Sequence, residues 1–245
     1  MGYGGTVPVA RRSIFNKVCT PHPATYPETN YEPPTNQPHT MKTDLLDIRH
    51  ADCMDLMREY PDDHFSLAIV DPPYGIGEDG GKFRDRKGGG HRVLPKKGWD
   101  TAPPPPEYFT ELSRVAKDQI IWGGNYFPLP PSRCWIFWDK LMGGDFADGE
   151  MAWTSFDKVV RKFTKCNKSP GAIHPTQKPV ALYDWILRNY AKPGDTILDT
   201  HVGSMSIAIA CHYAGHHLTA CELDADYYAA GCERVMRETQ QTTLF

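Results

Sequence analysis

A chain of 245 residues, 40% hydrophobic and 23% charged, is long enough to bury one sizeable α/β core. Its formal net charge of −3 excludes a globally basic nucleic-acid binder, so affinity for a polyanion has to come from local runs of charge. No apolar run approaches the ~20 residues that span a bilayer, and the amino terminus lacks the apolar stretch of a signal peptide, which predicts a cytoplasmic protein. The seven cysteines (Cys19, Cys53, Cys134, Cys166, Cys211, Cys221 and Cys232) are scattered without a C-x-x-C pair. They read as reduced, mostly buried thiols, and no spacing suits a metal.

Residues 1–43 differ from the rest. Pro8, Pro21, Pro23, Pro27, Pro33, Pro34 and Pro38 are interleaved with Thr, Asn and Gly, which predicts an extended or disordered arm. Met41 is a candidate natural start, and Arg11, Arg12 and Lys17 offer the alternative of a DNA-contacting arm. A single domain is expected over 44–245. Leu45 to His50 reads as a strand ending in Ala51-Asp52-Cys53, followed by a helical turn around Met54, Leu56 and Met57. Asp52 suits the N-cap of that turn and still has an oxygen to offer a ligand.

Phe65 to Val70, with the β-branched pair Ile69 and Val70, reads as a short buried strand. It stops at Asp71 because Pro72 and Pro73 have no N–H to extend a ladder. A carboxylate, two prolyl carbonyls and the Tyr74 phenol are thus presented at the carboxyl end of a strand, where open α/β sheets bind ligands. Asp71 and the Pro72 carbonyl match the two hydrogens of an exocyclic amino group. Tyr74 offers a stacking face, worth ~1–3 kcal/mol per base.

Residues 75–100 are Gly-rich and basic, with Lys82, Arg84, Arg86, Lys87, Arg92, Lys96 and Lys97. A long loop next to such a cluster predicts a mobile strip that touches phosphates, a plain solvated loop being the alternative. Pro103 to Pro106 precede a helix from Glu107 to Ala116, and strands are expected at Gln119–Trp122, Cys134–Trp138 and Gly149–Ser155. A second basic run, Lys158, Arg161, Lys162, Lys165 and Lys168, is a further phosphate-contact candidate.

His174 to Pro179 reads HPTQKP and leads into a helical stripe of Val180, Tyr183, Ile186, Leu187 and Tyr190. Proline is favourable at a helix start, and Lys178 beside it is placed to meet a carboxylate. His174 reads as structural. Thr196–Leu198 is a strand, Asp199 follows, a loop runs through Gly203 into a helix ending near Ala214, and Leu218–Cys221 is a strand before Glu222. Glu222 falls about 20 residues past the glycine loop, where an acid binds ribose hydroxyls. Asp199 suits an ammonium. Lys178, Asp199 and Glu222 together fit an amino acid joined to a nucleoside, S-adenosylmethionine, better than a dinucleotide.

Taken in order, Asp71-Pro72-Pro73-Tyr74, a basic variable region (about 76–100 and 156–173), HPTQKP and the cofactor loop resemble the β-class amino-methyltransferases. These methylate adenine N6 or cytosine N4 in nucleic acid, and small phage or prophage DNA methylases look most similar. The resemblance covers about 44–237, with a catalytic half at 44–155 and a cofactor half at 174–237. It implies a Rossmann-like α/β fold, a largely parallel sheet with helices on both faces and circularly permuted motifs. It also implies that Asp71, Pro72, Pro73 and Tyr74 hold the target base. Lys178, Pro179, Asp199, His201, Gly203, Ser204 and Glu222 would hold S-adenosylmethionine beside Asp71, with Asp52 and Cys53 against its adenine. The implied partner is double-stranded DNA with a flipped adenine, and a homodimer is admitted. Cytosine-N4 or RNA methylation, or a non-catalytic nucleic-acid-binding module, are the other readings. The family loop reads Asp-Pro-Phe-x-Gly-Ser-Gly, whereas His201 and Met205 stand here in place of the phenylalanine and the last glycine. Met205 is expected in the first helical turn, at ordinary helical angles and pointing away from the ligand.

Overall fold

The structure, a computed structural model, describes residues 40–81, 94–141, 147–166 and 171–240. Its strands are β1 (Thr40–Lys42), β2 (Leu46–His50), β3 (Phe65–Val70), β4 (Ala116–Trp122), β5 (Trp135–Asp139), β6 (Gly149–Thr154), β7 (Arg161–Thr164), β8 (Thr196–Asp199) and β9 (His217–Glu222). They form one sheet in the order β1-β2-β9-β8-β3-β4-β6-β5-β7. The helices are α1 (Cys53–Arg58), α2 (Pro106–Val115), α3 (Val180–Tyr190), α4 (Ser206–Ala214) and α5 (Ala225–Thr239).

The central strands β2, β9, β8, β3 and β4 run parallel. Such strands are buried on both faces, which is why Leu67 to Val70 of β3 read as an unbroken apolar run. Leu67 and Ile69 pack with Ile186 of α3 and Ile207 of α4 on one face. Ala68 and Val70 pack with Leu56 of α1 and Leu112 of α2 on the other. The result is the expected mixed α/β fold, largely parallel with helices on both faces.

The chain leaves β8 through α4 to reach β9 on one side, and leaves β3 through α2 to reach β4 on the other. The sheet therefore reverses its winding between β8 and β3, and the carboxyl ends of those two neighbours open the crevice where doubly wound sheets bind ligands. Asp71 and Asp199 stand at those two ends.

Two strands went unread in the sequence. The sheet begins at Thr40, ahead of the expected boundary at 44, because β1 pairs antiparallel with β2. Part of the second basic run is β7, an edge strand parallel to β5. The arm at 1–39 lies outside the described residues. The six cysteines among the described residues are free thiols, with Cys134, Cys211 and Cys221 buried. No helix among the described residues is long and apolar enough to cross a membrane.

Candidate functional site

A cleft of about 440 Å³ opens at the carboxyl ends of the central strands. Of the residues expected at a site, Asp52, Cys53, Asp71, Pro73, Lys178, His201, Gly203, Ser204 and Glu222 line it. Pro72, Pro179 and Asp199 are buried and adjoin lining residues in the chain. Trp99 and Tyr227, which carried no signal in the sequence beyond being aromatic, also line it, as does Tyr183, read there only as part of a helical stripe.

On the β3 side, the Tyr74 hydroxyl donates to Asp71 Oδ1 at 2.6 Å. The Tyr74 ring stacks on Tyr126 with centroids 5.0 Å apart and planes 14° from parallel. Gly123, at φ 68°, permits this placement, because a Cβ there would overlap the Tyr74 ring. The turn itself is held by buried Asp100, which accepts from the amides of Gly75 at 2.7 Å and Glu78 at 2.8 Å. Asp100 was not singled out by the sequence, since it acts across 25 residues.

Lys178 departs from expectation. Its ammonium, buried to 2% exposure, donates to Asp71 Oδ2 and lies 3.0 Å from Glu150 Oε2 rather than pointing to a ligand carboxylate. Glu150 Oε1 in turn accepts from Lys140. Burial pushes the Asp71 carboxyl up, and the neighbouring Lys178 charge pulls it back only in part. For Glu150 burial is outweighed by Lys178 and Lys140, which hold it below the usual carboxylate range.

On the β8 and β9 side, Glu222 is fixed by two backbone amides, Gly203 at 2.8 Å and Asp224 at 2.9 Å. Burial raises its carboxyl. Asp199 accepts the His201 amide at 3.0 Å, and burial pushes its carboxyl up to about 8. His201 is pushed down to about 4 by burial, so its ring is neutral, and it shares a 2.9 Å bond with Thr200 Oγ1. Asp52 caps α1 as expected, its Oδ1 accepting Met54 N at 2.8 Å, and it lines the cleft. Burial pushes the Cys53 thiol up to about 11, so it stays neutral.

The expectation for Met205 is corrected in its backbone. Met205 is the N-cap of α4 at φ 59° and ψ 28°, a left-handed conformation rather than a helical one. Its side chain is fully buried away from the cleft, over Gly231 of α5, where a Cβ would come 2.7 Å from Met205 Cγ. The absent side chain at 231 makes room for the one at 205. Arg234 braces the loop, donating to Ser204 O at 2.8 Å and Ser206 Oγ at 2.9 Å, while Ser206 Oγ donates to Lys178 O at 2.6 Å.

Of the phosphate-contact candidates, Lys82, Arg84, Arg86, Lys87 and Arg92 lie outside the described residues. Lys97 is redirected: it pairs with Asp224 at 2.6 Å and Asp226 at 2.7 Å, 4.5 Å over the Tyr227 ring. Next to it Trp99 stacks on His174, centroids 5.3 Å apart. This end of the basic loop is thus strapped across the cleft rim. Lys96, 3.7 Å from Asp79, is exposed, as are Arg161, Lys165 and Lys162, the last 3.2 Å from Asp139.

Fold and cleft define a doubly wound α/β protein with a carboxylate and a phenol, Asp71 and Tyr74, at the cleft. Residues 121–233 match the N6/N4 methyltransferase family described as DNA methylase. YhdJ of Escherichia coli (strain K12), a DNA adenine methyltransferase, is 22% identical over 81% of this chain and 85% of its own. Two solved structures share the fold. The M1.HpyAVI–SAM complex has a TM-score of 0.53 at 17% identity, over 78% of this chain and 99% of that one. PvuII DNA methyltransferase, cytosine-N4-specific, has a TM-score of 0.52 at 12% identity, over 81% and 93%. The chain is thus similar to N6/N4 amino-methyltransferases described as DNA methylases.

Proposed function

We propose that this protein transfers a methyl group from S-adenosylmethionine to the N6 amino group of an adenine flipped out of double-stranded DNA. One juxtaposition carries the reading: Asp71, bonded to Tyr74, stands on the wall of the same cleft that Glu222 and the Gly203 loop line. The residues present fit the cofactor. A cleft of about 440 Å³ is of small-molecule size. Glu222, its carboxylate held by two amides, suits ribose hydroxyls, and Asp52 and Cys53 border the space left for the adenine.

When bound, S-adenosylmethionine supplies a methyl carbon made electrophilic by its sulfonium. Asp71 and the Pro72 carbonyl accept the two amino hydrogens of the base, which turns the nitrogen lone pair out of ring conjugation. Their negative charge also favours the positive charge that grows on that nitrogen. Asp71, raised by burial, takes the proton the nitrogen sheds and returns it to water. Tyr74 stacks on the extruded base. The aspartate leading the tetrapeptide supports adenine over cytosine.

The reading makes a calorimetric prediction. With its carboxyl at about 8, Asp199 is mostly protonated near neutral pH in the free protein. A cationic ligand favours the ionised form, so binding releases a proton and affinity rises as pH rises toward 8. Above that the gain stops, because Asp199 is already ionised and the ligand's own amine (about 7.7–8.0) begins to lose its charge. Titration in two buffers of different ionisation enthalpy should show this release in the wild type and its loss in Asp199→Asn. Equal heats for both proteins would make Asp199 a purely structural carboxyl.

Lys97 yields a second. Lys97→Ala should weaken cofactor binding by about 1 kcal/mol, roughly fivefold, by loosening the strap. It should leave the slope of log DNA affinity against log salt unchanged, since a paired lysine releases no counterions. A flattened slope at constant cofactor affinity would restore Lys97 to the DNA-contacting set.

A further inference from the structure

Five side chains alternate in charge and hydrogen-bonding sense across the site: Tyr74, Asp71, Lys178, Glu150 and Lys140. They come from four places in the chain. Asp71 and Tyr74 follow β3, Lys178 precedes α3, Glu150 belongs to β6, and Lys140 follows β5. The β5–β6 register, which sets Trp138 opposite Glu150, brings Lys140 onto that carboxylate. The floor is aromatic: Lys178 lies 5.2 Å from the Trp122 ring centre and Lys140 5.2 Å from that of Trp138. Side-chain exposure is 16% for Asp71, 2% for Lys178, 18% for Glu150 and 16% for Lys140, so these charges feel one another with little screening. Buried pairs of this kind add little net stability, so stability alone does not account for the row.

We propose that Glu150 is a positioning residue for Asp71. By holding one side of the Lys178 ammonium, and being held in turn by Lys140, it limits how far Lys178 draws on the Asp71 carboxylate. That carboxylate then stays available to the amino group and to the proton the group sheds. The inference rests on the methylation reading above.

The groups facing Asp71 are Tyr74 from its own turn, Lys178 ahead of α3, Tyr183 on α3, Glu150 on β6 with Lys140 behind it, and Asp199 at the end of β8. Within this set, removing the Glu150 charge leaves Lys178 wholly to Asp71 and lowers its proton affinity. Removing the Lys140 charge does the reverse. The two changes therefore move Asp71 in opposite directions, which a brace that only holds the fold together would not do.

The test uses the full chain with Glu150→Gln and Lys140→Gln. Two quantities are followed against pH: kcat for transfer of labelled methyl groups to DNA, and the Asp71 carboxyl carbon signal by NMR in the unliganded protein. The signal is assigned by its loss in Asp71→Asn. The expected result is an acidic limb displaced to lower pH in Glu150→Gln and to higher pH in Lys140→Gln, the NMR titration moving likewise. Maximal kcat of Glu150→Gln should fall roughly tenfold, less than a lost acid–base group costs, at a cofactor Kd within about twofold of wild type. Should Glu150→Gln fail to fold, the upward displacement in Lys140→Gln alone decides. Unmoved limbs and signals, or displacement of both variants in one direction, overturn the proposal. Absence of transfer by the unaltered chain would sink the methylation reading instead, and the NMR titration would still test the row.

Discussion

Asp71→Asn is expected to stop methyl transfer to DNA while the protein keeps its cofactor. The substitution is nearly isosteric, but an amide offers an N–H edge and no charge where the reacting amino group needs acceptors. Loss of a preorganised electrostatic partner of this kind costs about 10²–10³-fold in kcat. It also leaves Lys178 with Glu150 as its remaining carboxylate in the row. The cofactor wall does not depend on Asp71, because Glu222 is fixed by the amides of Gly203 and Asp224. Calorimetry should therefore find the cofactor Kd of Asp71→Asn close to wild type and that of Glu222→Ala raised tenfold or more, about 1.4 kcal/mol per decade. Equal loss of cofactor in both variants would abolish the division between a base side and a cofactor side.

Met205→Gly is expected to destabilise the protein, although it restores the glycine usual in such loops. Glycine removes the left-handed backbone cost, about 1–2 kcal/mol. It also empties a fully buried site packed over Gly231, and large-to-small changes in cores cost about 2–5 kcal/mol. The midpoints of the two leave a net loss of about 2 kcal/mol, a fall of several degrees in Tm for a chain of this size. Cofactor affinity should stay within about twofold, because the Met205 side chain faces α5 and not the cleft. A gain of cofactor binding in Met205→Gly over a non-binding wild type would mark the natural loop as degenerate and favour a non-catalytic role.

The parts of this molecule that were legible in its sequence are those written in local pattern. β3, α3 and the β8–α4–β9 unit show as apolar runs or stripes punctuated by proline, glycine and acid, and their residues fall within a position or two of expectation. Strands β1 and β7 were hidden because they are short, lie at the two edges and expose polar side chains. The Asp71–Tyr74 turn and the Gly203 loop, which meet at the cleft, stood out for the same local reason. Their partners did not. Glu150 reaches Lys178 through strand register, Asp100 reaches Gly75 across a loop, and the Lys97 strap depends on where α5 begins. Met205 shows a further limit. The glycine usual at that position hinted at its positive φ, but the compensating Gly231 is legible only once α4 and α5 are packed.

The most direct test is transfer itself. The full chain is incubated with S-adenosylmethionine labelled on its methyl group and with unmethylated double-stranded DNA, and the DNA is digested to nucleosides and separated. The account predicts label in N6-methyladenine, absent with Asp71→Asn. Label in N4-methylcytosine would keep the mechanism and change the base. No label in DNA from a chain that binds the cofactor would contradict it.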